Sequence, residues 1–320
     1  MTPAAPAPVV CVGEILIDLI APPGETLVTA TQFAVREGGA PMNAAVALAR
    51  LGVPVRFCGV IGADGFGARL RAVLEREGVD TSALRATASE PTSIAYAWRD
   101  SRGDGQFQLV RMADRLLAGI DIDKADVTNA SALLVGSVAL AAKPSNAANV
   151  AAVARANAAG VPVVFDVNAR PTLWPDRDAL RRAAEPILLR TNVLKVSMDD
   201  ARFLWESLSP EAVLGICKPY PISLIVITDG DRGVAVGDLA TGELRRYPVL
   251  PVEAVDPTGA GDAFTAALLS RLLASGWLEP DDEDIRFAMA AGALATTRQG
   301  ALAALPTRDE LERFLADATR

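Results

Sequence analysis

Histidine is absent from all 320 residues of this chain. That absence excludes Ser-His-Asp triads, Cys-His pairs, H-E-x-x-H zinc sites and imidazole acid–base chemistry. Any proton transfer must fall to Asp, Glu, Lys, Tyr or Cys. Cysteine is scarce. Cys11, Cys58 and Cys217 are odd in number, form no C-x-x-C, and two of them lie in apolar, strand-like runs, which is the pattern of buried thiols in a reducing compartment. Lysine occurs four times and never follows glycine, so there is no Walker A loop. No complete G-x-G-x-x-G occurs; the nearest stretch, G-A-G-D-A-F, carries Phe264 in the third position. A dinucleotide oxidoreductase is therefore a weak alternative. The apolar run near the N-terminus is broken by Glu14 and Asp18 and follows no basic segment, so neither a signal peptide nor a membrane span is expected, and a cytoplasmic location is. The net charge of −8 argues against nonspecific nucleic-acid binding, although glycine-rich backbone can still bind a nucleotide. No linker, repeat or shift in composition divides the chain, so one large domain is expected over 8–318, after a Pro/Ala-rich tail, 1–7, that should fray.

What is present centres on Val255–Phe264, V-D-P-T-G-A-G-D-A-F. Glycines permit a tight turn and close approach of another group to the backbone. Phe264, Leu268 and Leu272 then recur every fourth residue, one face of a helix. The first N–H groups of a helix lack internal partners and carry the positive end of its dipole, so an anion can sit there. Asp262 stands in the first turn, beside that position. A carboxylate next to an anion cradle suits phosphoryl transfer to a hydroxyl, the carboxylate taking the proton. Taken singly, Asp262 could be an ordinary first-turn acid; the whole constellation favours the site.

Along the chain, Val9–Ile20 reads as one buried strand with Asp18 late in it, either exposed at the strand end or facing a site. Segments of about 20–36 and 92–112, the latter with two strands around S-R-G-D-G, suggest a small inserted β-flap. Gly38–Gly52 reads as a diglycine turn and a core helix, with the amide Asn43 at its start. G62-x-D64-x-x-G67 opens another helix and carries no chemistry. From Ala132, strands and helices alternate (strands at Ala132–Ser137, Val161–Val167, Asn192–Val196 and Ser223–Thr228), which predicts a mostly parallel sheet with helices on both faces. Ligands gather at the carboxyl ends of such strands, where Asp166, Asn168 and Arg170 fall. The same residue types also cap loops, as Arg111 could be a solvated strand arginine.

The stretch D-P-T-G-A-G-D-A-F resembles the C-terminal signature of the ribokinase-like (PfkB-type) carbohydrate kinases, and G-G-A-P-M-N-A-A resembles their N-terminal one. The resemblance covers nearly all of 8–318, with G-G-A-P-x-N and D-V-N-A-R-P-T-L-W most similar to fructokinases. It implies a three-layer α/β/α fold with a mostly parallel sheet and a small β-flap as lid, and an ATP-dependent sugar kinase. By that resemblance Asp262 is the base and Gly259, Ala260 and Gly261 form the anion hole. Asp18, Gly38, Gly39, Asn43, Arg111, Asn168 and Arg170 bind sugar. Lys195, Ser197, Thr228, Gly230 and Gly233 bind nucleotide. Asp200 is tied to Mg²⁺, and Asp256, Thr258, Ala295, Arg298 and Gly300 to a monovalent cation such as K⁺. A homodimer through the lid is implied too. Two local departures stand out. The segment after Arg111, V-R-M-A-D-R-L-L, is shorter than usual, and Ser197 and Asp200 replace the Asn and Glu of N-x-x-E. Fructose is the first substrate expectation; 2-keto-3-deoxygluconate, through Arg111, and ribose are alternatives, and a non-catalytic sugar-binding relative is a further one.

Overall fold

The computed structural model describes residues 6–99 and 105–317. Residues 1–5 of the expected tail, residues 100–104 of the expected second flap segment and residue 318 lie outside them. Thirteen strands are present among the described residues: β1 (Val9–Val12), β2 (Leu16–Ile20), β3 (Ala34–Gly38), β4 (Val55–Gly62), β5 (Leu84–Thr87), β6 (Ile94–Arg99), β7 (Gly105–Val110), β8 (Ala132–Gly136), β9 (Val163–Asp166), β10 (Val193–Ser197), β11 (Leu224–Thr228), β12 (Val234–Gly237) and β13 (Leu244–Tyr247). Nine form one sheet in the order β13-β12-β11-β10-β9-β8-β1-β4-β5, and four form a second in the order β3-β2-β6-β7. The large sheet is parallel from β5 to β11, with β12 and β13 added antiparallel at one edge.

The central strands of the large sheet are apolar on both sides because helices cover both faces. Alternate residues separate cleanly. Val9, Cys11, Phe57 and Leu134 enter one core, packed with helices α1 (Ala40–Arg50), α2 (Gly65–Arg76), α8 (Ala260–Ala274), α9 (Asp282–Ala295) and α11 (Arg308–Asp317). Val10, Val12, Cys58, Leu133 and Val135 enter the other, packed with α3 (Gly119–Ala125), α4 (Ser145–Ala158), α5 (Arg177–Leu188), α6 (Met198–Trp205) and α7 (Pro210–Cys217). The short α10 (Ala301–Ala304) lies against β3. All three cysteines are buried and free. None of the described helices is long and apolar enough to cross a membrane.

The single strand expected over Val9–Ile20 is two. Gly13, at φ 156°, breaks it, and β1 stays in the large sheet while β2 pairs with β3 and β6 in the second. Backbone crowding enforces the crossing: a Cβ on Gly13 would lie 2.6 Å from Pro41, and one on Gly39 2.6 Å from the Glu14 carbonyl. Asp64 caps α2 through the Gly67 N–H at 2.8 Å and also accepts the Thr92 hydroxyl at 2.7 Å. The G-x-D-x-x-G segment thereby anchors the entry to β6, a structural part as expected.

Candidate active site

The carboxyl edge of the large sheet supplies the floor. Parallel register aligns Gly136 with Asp166, Asp166 with Lys195, and Ser197 with Thr228. Above them α8 begins behind Gly259, whose φ of 84° suits glycine. This helix is buried on nearly all sides, packed between α1 and α9, so its first turn is held firmly. A Cβ on Gly261 would lie 2.8 Å from the Lys195 ammonium. The Ala260 N–H is donated to the Pro257 carbonyl at 3.2 Å, and the lysine lies against the start of the helix, where an anion can be held.

Asp262 is the third residue of α8 and only 8% exposed. Asn43, from the first turns of α1, donates from Nδ2 to its Oδ2 at 2.8 Å. Burial, and next the charge of Asp166, push the Asp262 carboxyl up to about 6; the Asn43 hydrogen bond, Lys195 and Arg170 oppose that rise. Lys195 is buried and donates to Asp166 at 3.1 Å, and Thr265 donates to the other Asp166 oxygen at 2.8 Å. Burial works against the Lys195 charge, but Asp166, Asp200 and Asp262 outweigh it and hold the ammonium above its ordinary value.

A cavity of about 180 Å³ opens between the second sheet and the 256–258 loop. One face of that sheet closes it, because Asp18 is the register partner of both Arg36 and Ala95, and Ala97 that of Ile20 and Phe107. Asp18, Arg36, Asp256, Thr258 and Gly300 line the cavity. The Asp18 carboxylate fills the space above Gly38, where a Cβ would come within 2.1 Å of it. Burial pushes Asp18 up to about 7; Arg170 counters this, while Asp262 and Asp256 add to it. Asp256, Pro257 and Thr258 line the cavity and run directly into the α8 turn, so the two belong to one region. Arg170, half-buried at φ −123°, donates through Nη1 to Asn168 Oδ1 at 2.5 Å and to the Ala169 carbonyl at 3.1 Å. Asn168 takes a positive φ of 39° to make this turn.

Several other candidates are held by structural contacts. Arg111 does not line the cavity; Nε donates to Asp114 at 2.7 Å and Nη1 to the Val138 carbonyl at 2.7 Å. The shortened segment behind it brings Asp114 into reach at i+3. Asp200 does not fit a direct magnesium ligand. Its Oδ1 accepts the Ala169 N–H at 2.7 Å, its Oδ2 the Ser197 N–H at 3.1 Å, and Ser197 caps the Asp200 N–H in return. The pair is a capping box for α6, and among the described residues no cluster of three or more acidic or cysteine side chains could hold a metal ion. Asp256 ties the loops together, accepting from Thr258 N–H and hydroxyl at 3.0 and 2.7 Å and from Gly300 N–H at 2.9 Å. Ala295 ends α9 nearby, whereas the Arg298 side chain turns away to Glu310. Thr228 ends β11, Gly230 sits at φ 53°, and a Cβ on Gly233 would meet the Tyr247 carbonyl at 2.1 Å. That last glycine is fixed by packing.

Sequence reading passed over Thr265, Glu14 and Arg36. Thr265 lies one position past a match that already explained its neighbours. Glu14 had a signal, an acid inside an apolar run.

Comparison with known proteins identifies the family. Residues 7–308 match the pfkB family carbohydrate kinase profile. A fructokinase of Klebsiella pneumoniae is 37% identical, covering 95% of this chain and 97% of its own length. A fructokinase from Xylella fastidiosa, solved with bound ATP, superposes with a TM-score of 0.85 at 30% identity, over 98% of this chain and 99% of that one. A double mutant of the Vibrio cholerae fructokinase, in a fructose, ADP and potassium ion bound form, gives 0.83 at 31% identity, over 97% and 98%. The chain belongs to the pfkB family of carbohydrate kinases. It is an ATP-dependent sugar kinase.

Proposed function

We propose that this kinase is a fructokinase and that Asp262 is its general base. The observation that carries the reading is a buried carboxylate, fixed by Asn43, in the first turn of α8 beside Lys195. Asp262 takes the proton of a primary hydroxyl of the sugar. The Gly259–Gly261 turn and Lys195 stabilise the charge on the transferring group, and Asp18 accepts a second hydroxyl and orients the ring. ATP supplies the phosphoryl group, and a magnesium ion carried on its phosphates would offset their charge. The second sheet acts as a lid that excludes water. Fructose is favoured over 2-keto-3-deoxygluconate because Arg111 is already committed to Asp114 and so offers no free fork to a carboxylate. A coupled ADP-release screen over fructose, ribose, 2-keto-3-deoxygluconate and nucleosides tests this. Fructose should show the highest kcat/KM, and a higher value for any of the others would overturn the assignment.

Two lesser parts of the reading have their own tests. Asp256, Thr258 and backbone near Ala295 and Gly300 would hold a monovalent cation, so potassium should stimulate turnover; equal rates in potassium and in a bulky organic cation would contradict it. The lid would also join two copies into a dimer, which a monomer in sedimentation equilibrium would rule out.

A further inference from the structure

We propose that Thr265 is a positioning residue for phosphoryl transfer: its hydroxyl fixes the Asp166 carboxylate, and that carboxylate holds the Lys195 ammonium against the first turn of α8. Asp166 and Lys195 are register partners on β9 and β10. One step back on the same face the partners are Val164 and Val193, both in the core that includes α8. Apolar residues therefore suit this face, and a buried ion pair gains little over apolar packing. A charged pair here needs another reason.

The contacts supply it. Lys195 is 6% exposed, and among the described residues its one hydrogen bond goes to Asp166 Oδ1 at 3.1 Å. An ammonium has three donors, so two remain. Nζ lies 2.8 Å from where a Cβ on Gly261 would be, so those donors stand at the start of α8. A buried cation with open donors at a helix start calls for an anion. Thr265 lies four residues after Gly261, on the same side of α8. A helical serine or threonine commonly turns its hydroxyl back onto its own helix, as Ser270 does to the Ala267 carbonyl at 2.7 Å. Thr265 instead donates to Asp166 Oδ2 at 2.8 Å. Each carboxylate oxygen is thus held by a different element, and the group cannot rotate without losing a bond. In the transfer, the bond from the ADP oxygen to the γ-phosphorus breaks, the sugar oxygen bonds that phosphorus, and its proton goes to Asp262. The ammonium exchanges no atom; it meets the charge on the phosphoryl oxygens.

This assignment rests on Asp262 as base and the α8 turn as the seat of transfer, and the experiment separates them. Thr265→Val keeps the shape and removes the hydroxyl. Its kcat on the preferred sugar should fall about tenfold, since small misplacements of charged groups cost that much or more, with the sugar KM within twofold. Thr265→Ser returns the hydroxyl and should bring kcat back to within threefold of the parent. Wild-type kcat in Thr265→Val overturns the proposal, as does a failure of serine to restore it. In a Lys195→Met background, Thr265→Val should change kcat less than twofold; full multiplication of the two losses, the result for a purely structural threonine, overturns it too. If K195M is too slow to assay, the same cycle is read by calorimetry in the affinity for aluminium fluoride with ADP and fructose, a mimic of the transferring group, with the same two outcomes. Should Thr265→Val not fold, Thr265→Ala takes its place with the same expectations. Wild-type turnover in Asp262→Asn would sink the base assignment, whatever the threonine variants do.

Discussion

Asp262 stands in surroundings that pull its proton affinity both ways. Burial and Asp166 raise it to about 6, while Asn43 and the nearby cations restrain it. A base must be unprotonated to act, so kcat/KM should rise with pH through about 6 and level off above. Asn43→Ala removes a donor that favours the charged form, and the acidic limb should move upward; a limb that stays in place would show that Asn43 does not hold the carboxylate in solution. At this scale Asp262, Asn43 and Gly261 were legible, because a helix start after glycines has few physical meanings. The Asp166–Lys195–Thr265 group was not legible as a unit. Its members are 99 positions apart at the extremes, and only sheet register and the docking of α8 join them.

Elements carry the site through their ends. The β3–α1 junction is a diglycine because the Asp18 carboxylate and the Glu14 carbonyl occupy the space of two β-carbons. Gly38→Ala should leave the fold intact, since a carboxylate can swing, but displace Asp18 from the cavity. KM for the sugar should rise about 10- to 100-fold, the worth of a hydrogen bond to a charged group, with KM for ATP little changed; an unaltered sugar KM would show that Asp18 does not bind substrate. Most elements were readable from periodicity and caps: α5 follows Asp176, which caps it as expected of an Asp at that place. The Val9–Ile20 strand was misread. Both halves are apolar at similar spacing, and the break is a tertiary matter of Gly13 meeting Pro41. The N-x-x-E departure likewise became clear only when Asp200 was seen to cap α6 and hold Ala169.

Across the whole molecule, two cores hold one sheet, and three carboxyls, buried Glu14 and Asp262 and half-buried Asp18, collect where the second sheet meets it. Glu14 and Asp18 are raised to about 7 and Asp262 to about 6, above the roughly 4 of unfolded chains. Between those values the folded state binds more protons than the unfolded, so their contribution to stability is complete below about pH 4 and is lost as pH rises through 6 to 7. Other carboxyls, such as Glu310, held down to about 2 by Thr307 and Arg298, act in the opposite sense. The difference between variants isolates the effect: the stability gained by Glu14→Gln over the parent should grow from pH 5 to pH 8, as read by urea unfolding, and a constant difference would show that Glu14 is not raised. The layered architecture was legible from alternating strand and helix patterns. The merging of both sheets around one charged cluster was not, because it arises from long-range packing.

The central claim, that Asp262 takes the proton from the sugar, is tested most directly by ADP release with fructose in Asp262→Asn. This variant keeps the shape and an acceptor for Asn43. Turnover should fall by about 10²–10⁴-fold, the usual worth of a positioned base, while fructose still binds. Turnover equal to that of the unaltered enzyme would contradict the account.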